Sequence, residues 1–161
     1  MGREAVVIES AAELRALLPD GGALLALDLG TKTIGVATCD AGWRFATAGK
    51  TIKRSKFGKD SELLRAVIAE RGSKAIVLGL PRNMDGSEGP RVQSARAYAR
   101  NLVEAFDLPV LLWDERWSTS SAEAAMIGQD MSRAKRAEKI DSHAAAIILQ
   151  GAIDALSGNA F

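Results

Sequence analysis

The feature that most constrains the fold is an apolar run that ends in a carboxylate, turns, and continues as a second apolar run. The pattern predicts a first strand at Leu24–Asp28 and a second at Ile34–Cys39, joined by the tight turn Gly30-Thr31-Lys32. Asp28 then stands at the end of the first strand. An aspartate at such a place is often only a turn residue, so its meaning depends on whether other carboxylates reach it.

Length and composition indicate one cytoplasmic domain. The chain has 161 residues, of which 47% are hydrophobic and 25% charged, with a net charge of +1. We expect an N-terminal extension over residues 1–22, with a short helix opened by the capping box Ser10–Glu13, and a single domain over 23–161. One cysteine, Cys39, suits a reducing compartment. No apolar run approaches the roughly 18–20 residues that span a membrane, so a membrane partner is not expected.

The remaining elements alternate between strand and helix after a third strand near Ala46–Ile52. Periodicity and capping signals predict them at Asp60–Arg71 (helix), Ala75–Gly79 (strand), Pro90–Phe106 (helix), Val110–Trp113 (strand), Ser120 to about Ile127 (helix) and Glu138–Leu156 (helix), with a basic, mobile segment at Ser132–Ala137. This order predicts an α/β fold with a five-stranded mixed sheet, three antiparallel strands followed by two parallel ones, flanked by helices. Right-handed crossovers place the two later strands beside the first, on the side away from the second.

Three carboxylates then become candidates for one site: Asp28, Glu115 and Asp141. Side chains alternate along a strand, so only one of Asp114 and Glu115 is expected to join Asp28. Carboxylates gathered at one sheet edge repel each other unless a cation neutralises them, and oxygen ligands favour Mg²⁺ or Mn²⁺. A pair of such ions about 4 Å apart hydrolyses phosphodiesters. The alternatives are a turn role for Asp28, helix capping by Asp141, and surface pairing of Glu115 with Arg116 or Lys32.

Four blocks of the sequence resemble the YqgF family, also called RuvX-like, of small bacterial ribonuclease H-like proteins. They are Asp28–Lys32 (DLGTK), Gly79–Arg91 (GLPRNMDGSEGPR), Asp114–Thr119 (DERWST) and Asp141–Leu149 (DSHAAAIIL). The resemblance extends from about Leu24 to Leu156.

The resemblance implies a ribonuclease H-like fold and a divalent-metal-dependent nuclease that matures the 5′ end of pre-16S rRNA during ribosome biogenesis. By motif, Asp28, Glu115 and Asp141 would be the catalytic, metal-binding carboxylates of a two-ion Mg²⁺ or Mn²⁺ site. The implied partners are nucleic acid, as pre-rRNA or branched DNA, and the small ribosomal subunit, with the chain a monomer or a homodimer. His143 departs from the apolar residue frequent in the family, and a surface or structural role is favoured over proton transfer.

Basic and polar residues around these blocks are candidate nucleic-acid contacts: Lys32, Arg82, Asn83, Arg91, Arg116, Lys135 and Arg136. Their charges and amides suit phosphate. The alternative for the Gly79–Arg91 segment is a long loop held by its own turns. Trp117 is expected to pack beneath this loop rather than stack on a base.

Three other functions stay open. The Asp28–Thr33 turn also resembles the phosphate turn of actin-like and sugar-kinase ATPases, but those proteins close a cleft between two such domains. A second alternative is a Holliday junction resolvase acting on branched DNA. The third is a non-catalytic RNA-binding factor of ribosome assembly that uses the same basic surface.

Overall fold

The computed structural model describes residues 6–83, 85–117 and 133–157; the side chains of Trp117 and of residues 133–142 lie outside this description. Its strands are β1 (Val7–Ile8), β2 (Leu24–Leu29), β3 (Thr33–Cys39), β4 (Thr47–Ala48), β5 (Ile52–Lys53), β6 (Ala75–Leu80) and β7 (Val110–Asp114). Its α-helices are α1 (Ala11–Leu17), α2 (Phe57–Arg71), α3 (Pro90–Phe106) and α4 (Arg133–Leu156), and a 3₁₀ turn covers Glu115–Trp117.

The strands form one mixed sheet in the order β1-β7-β6-β2-β3-β4, with β5 also paired to β3. β2 and β3 are antiparallel, whereas β6 and β7 continue the sheet in parallel from β2. The predicted α/β class, the antiparallel-then-parallel pattern and the position of the later strands on the far side of β2 from β3 are confirmed.

The predicted number of strands was too small, because the described residues form seven. The third strand is split into β4 and β5 at Gly49, whose amide donates to the carbonyl of Val36 over 2.6 Å. The additional strand β1 pairs in parallel with β7, Val7 opposite Val110. Two residues are too few to show a sequence period, which is why this strand escaped prediction.

Two predictions concern the segment ahead of the last helix. This helix begins at Arg133, so residues 133–137 of the segment expected to be mobile are helical. The capping box at Ser120–Glu123 lies outside the described residues.

Helices cover both faces of the sheet because its strands are apolar on both faces. Alternation along β2 sends Leu24 and Ala26 into one core with α1 and α4, and Leu25 and Leu27 into a second core with α2 and α3. Leu14 of α1 is completely buried in the first core. No helix in the described part of the chain has the length and apolarity required to cross a bilayer.

Candidate active site

The candidate site lies where β2, β6 and β7 end together. The registers pair Leu27 with Leu78 and Gly79 with Trp113. Ala26, Val77 and Trp113 all face the core beneath α4. Asp28 and Gly79 follow Ala26 and Val77 by two positions, so strand alternation puts them on the same face. Glu115 begins the 3₁₀ turn two positions after Trp113, and its side chain lies beside Gly79 on this face.

Gly79 brings Glu115 close to the middle of this sheet end. A Cβ placed on Gly79 would lie 3.1 Å from Cγ and 3.2 Å from Cδ of Glu115, and 2.7 Å from Cδ1 of Ile148 in α4. The Glu115 side chain therefore lies across the backbone of β6, between the strand that carries Asp28 and its own strand. Asp28 and Glu115 are both half-buried. The absence of a side chain at position 79 is what leaves room for this arrangement.

The third predicted carboxylate belongs to α4. Asp141 lies four residues ahead of Ala145 and seven ahead of Ile148, both of which are buried against the sheet. The side chains of Asp141, Lys135 and Arg136 lie outside the described residues, and His143 is half-buried on the same helix. Among the described side chains, no three of the His, Cys, Asp and Glu residues form a group suited to a metal ion.

Asp114 faces away from this site and is held by arginines. Nε and Nη2 of Arg116 donate to its two carboxylate oxygens over 3.0 and 2.6 Å, and the Arg116 amide donates over 2.9 Å. Nη1 of Arg82 lies 3.5 Å away. Burial alone would raise the pKa of Asp114, but the hydrogen bonds and charge of Arg116, with the charge of Arg82, outweigh it and hold this pKa below its ordinary value. Asp114 is thus an ionised anchor for the two arginines.

The loop between β6 and α3 is held by its own turns. The Asp85 carboxylate accepts from the amide and the hydroxyl of Ser87 over 2.9 and 2.6 Å, and these bonds lower the pKa of Asp85. The Asn83 side-chain amide donates to the Ser87 hydroxyl over 2.9 Å. The loop is therefore held by its own turns, as the alternative for the Gly79–Arg91 segment predicted. A loop held in this way presents its side chains in defined positions.

Arg82 is engaged by carboxylates from three parts of the chain. Besides Asp114 it pairs with Glu88 at 3.2 Å and with Glu9 at 3.3 Å. Arg96 of α3 contacts the same two glutamates, at 2.6 Å and 3.2 Å. The hydrogen bond from Arg96 is the main reason that the pKa of Glu88 is lowered. Sequence reasoning missed Glu9 and Arg96, because no local spacing connects the extension with this loop.

The loop and Glu115 border one cleft of about 640 Å³. Its lining consists of Pro81, Arg82, Asn83, Gly89, Pro90, Arg91, Glu115 and Arg116. Four predicted nucleic-acid contacts thus meet one predicted catalytic carboxylate in one depression. Lys32 lies apart from this lining and is exposed in the β2–β3 turn.

The β2–β3 turn that follows Asp28 is fixed by two arginines. Arg54 donates from Nη1 to the Gly30 carbonyl over 2.6 Å, and Arg91 donates to the Leu29 carbonyl over 3.2 Å. Arg54 also lies over the ring of Tyr98, 5.5 Å from its centre. Sequence reasoning missed Arg54, since its partners come from the β2–β3 turn and from α3 and only the fold brings them together.

Comparison with known proteins identifies relatives of this chain. The family model described as "RuvX: Holliday junction resolvase" matches residues 22–155. A relative from Novosphingobium aromaticivorans, named as a candidate pre-16S rRNA nuclease, is 67% identical over 97% of this chain and 100% of its own. A Sphingopyxis alaskensis relative with the same name is 59% identical over 94% and 99% of the two chains.

A solved structure supports the fold alone. RuvC of T. thermophilus, in complex with a Holliday junction substrate, superimposes with a TM-score of 0.53 at 18% identity and covers 86% of this chain and 98% of its own. The ribonuclease H-like fold implied by the sequence resemblance agrees with this likeness. With a family model matched over most of its length and relatives of such high identity, the chain belongs to the RuvX (YqgF) family.

Proposed function

We propose that this protein is a nuclease that hydrolyses phosphodiester bonds, and that its substrate is the immature 5′ end of 16S rRNA. One observation carries the proposal. Glu115 lies against Gly79 on the sheet face that also carries Asp28, and the arginine-lined cleft begins at the same Glu115. Carboxylates beside a phosphate-binding surface are what phosphodiester hydrolysis requires.

The donor set fits Mg²⁺ or Mn²⁺. Asp28 and Glu115 offer hard oxygen ligands, and Gly79 leaves room for the Glu115 side chain between their strands. Asp141 would be the third ligand. It lies four residues before Ala145 and seven before Ile148, and residues at these spacings share one face of a helix. When bound, two such ions would activate a water molecule and stabilise the leaving oxygen.

Arg91 is the strongest candidate for the phosphate contact. Its guanidinium donates to a backbone carbonyl, which does not neutralise its charge, and it lines the cleft beside Glu115. Arg82 and Arg116 are already paired with carboxylates, so a phosphate would have to share them. Asn83 would add a neutral donor at the rim. Lys32, Lys135 and Arg136 would extend the contact along the nucleic-acid substrate.

The choice of substrate rests on the relatives named as candidate pre-16S rRNA nucleases. Cleavage of this RNA would place the protein in the cytoplasm beside the small ribosomal subunit, as a monomer or a homodimer. A second candidate is resolution of four-way DNA junctions, which the description of the matching family model favours. Symmetric junction cutting requires two active sites, so that reading predicts a homodimer.

The test is cleavage of a pre-16S 5′ leader RNA and a four-way DNA junction side by side, with Mg²⁺ and with Mn²⁺. We expect the leader to be cut and the junction to stay intact. Asp28→Asn should abolish cleavage while RNA binding persists, because the change removes a ligand charge and keeps the side-chain shape.

Arg15→Gln, at an exposed position of α1 that does not line the cleft, serves as the control and should cut like the unaltered protein. Symmetric junction cutting with an intact leader would favour the second candidate. If the protein binds RNA but cuts neither substrate with Mg²⁺ or with Mn²⁺, it acts as a non-catalytic factor of ribosome assembly.

A further inference from the structure

One short segment of the chain is strongly basic. Residues 41–59 contain six of them and no acidic residue, in a chain whose total net charge is only +1. Five are Arg44, Lys50, Lys53, Lys56 and Lys59, all of which are exposed. The sixth, Arg54, holds the β2–β3 turn. Such an imbalance produces a local positive potential that attracts polyanions.

The fold spreads this segment along the open edge of the sheet. β5 pairs with the start of β3, Lys53 opposite Thr33, and β4 pairs near its end, Thr47 opposite Thr38. The five residue-to-residue steps from Thr33 to Thr38 span about 17 Å at the usual rise of a strand. One end of this strip adjoins the turn that carries Lys32, next to the candidate active site.

At the other end lies a second cleft, of about 690 Å³. Its lining includes Arg44, Phe45, Arg71 and Lys74. Phe45 is 77% exposed, the most exposed of the large hydrophobic side chains described. An aromatic ring left in water beside cations is the arrangement by which proteins stack unpaired bases.

The backbone that presents Phe45 is held on both sides. The Trp43 indole donates to the Gly22 carbonyl over 2.8 Å, and the Ala46 amide donates to the Gln150 side chain over 2.9 Å. Trp43 also has a φ of 53°, a backbone conformation that bulky residues rarely adopt. Fixing an exposed ring through a strained neighbour is more typical of a binding site than of a passive loop.

Protection of the sheet edge accounts for only part of this pattern. Lysines on an edge strand discourage pairing with another chain, which would explain Lys50 and Lys53. An exposed phenylalanine does not protect the edge from pairing with another chain, because it adds apolar surface there. The combination of lysines with Phe45 therefore favours a ligand.

We propose that this basic edge, formed by Arg44, Phe45, Lys50, Lys53 and Lys56, binds a single-stranded segment of the RNA substrate. The phosphates lie along the lysines and one base stacks on Phe45. The inference rests on the proposed function, since it assigns a second contact surface to the same substrate. It extends the bound length of RNA from the Lys32 turn to the cleft at the opposite end of the sheet.

The test measures binding of a fluorescein-labelled, single-stranded 20-nucleotide RNA by anisotropy, without divalent metal, across a range of salt. The variant Lys50→Glu with Lys53→Glu should bind at least tenfold more weakly. The slope of log K against log salt should become shallower by about 1.4, since each lost phosphate contact removes about 0.7. The control, Arg15→Glu with Arg100→Glu, has the same charge change on exposed positions of α1 and α3 and should differ by less than threefold.

A second variant separates stacking from charge. Phe45→Ala should weaken binding about fivefold or more and leave the salt slope unchanged, whereas Phe45→Trp should restore it. If both edge variants bind like the control pair, or if the unaltered protein does not bind this RNA, the proposal is wrong. Binding without metal does not depend on cleavage. If the protein binds RNA through this edge but cuts neither substrate, the proposed nuclease function is wrong and the RNA-binding edge still stands.

Discussion

Gly79 is the residue whose replacement should be most informative. Any side chain at this position enters space held by Glu115 and Ile148. The terminal methyl of Ile148 can turn aside, whereas Glu115 can yield only by moving its carboxylate. A single added methyl group therefore tests whether the position of Glu115 matters.

We expect Gly79→Ala to lower the free energy of unfolding by about 1–3 kcal/mol through overpacking and to reduce cleavage at least tenfold. Adding Ile148→Val removes the nearest methyl and should recover most of the stability but not the activity. Urea unfolding and leader cleavage measure the two effects.

Gly58→Ala is the matched control, because a Cβ at that helical position meets nothing within 4 Å. It should leave cleavage unchanged and stability the same or slightly higher. Full activity in Gly79→Ala would show that the present position of Glu115 is not needed.

At the level of elements, α1 is a structural part of the fold. Its Leu14 is completely buried in the core that α4 shares with the sheet, and β1 beside it extends the sheet along β7. The extension over residues 1–22 was expected to lie outside the domain of 23–161. We propose that both unfold together.

Leu14→Ala should therefore destabilise the whole protein by about 2–5 kcal/mol, the usual cost of such a truncation in a core. Leu63→Ala, the same change at a side chain that is 49% exposed, should cost far less. Thermal unfolding followed by circular dichroism provides the comparison. A local transition that leaves the melting of the sheet unchanged would mean that α1 is an independent appendage.

The sequence predicted those elements whose pattern is local and long. β2, β3, β6, β7 and α3 show clear apolar periods, and the alternation of side chains separated Asp114 from Glu115 correctly. β1 and the split third strand were beyond reach, because two-residue strands show no period. The ion pairs of Glu9 with Arg82 and Arg96 join residues more than 70 positions apart, which only the folded chain reveals.

At the level of the whole molecule, the charge on Asp114 makes stability depend on pH. The carboxylate is held by Arg116 and Arg82, and its pKa lies below the ordinary value of 3.8. A lowered pKa in the folded state means that the stabilisation is complete above about pH 5 and disappears as the pH falls through the folded-state value.

Unfolding midpoints in urea should thus be nearly flat from pH 7 to pH 5 and fall below pH 4. In Asp114→Asn the fall should be shallower, because this group no longer titrates, and the midpoint at pH 7 should be lower because the charge-assisted hydrogen bonds are weaker. If the unfolding midpoint falls in the same way with pH in the two proteins, other carboxylates cause the loss of stability in acid. Glu104→Gln, which removes one exposed negative charge near the end of α3, controls for net charge.

The parallel pairing of β1 with β7 also sets an order in time. Val7 leaves the ribosome about 100 residues before its partner Val110. At the usual rate of synthesis this leaves the first strand without its neighbour for roughly 5–20 s. The sequence around Val7 and Ile8 stays unpaired during that interval, and the edge of the sheet closes only after about two thirds of these 161 residues have been made.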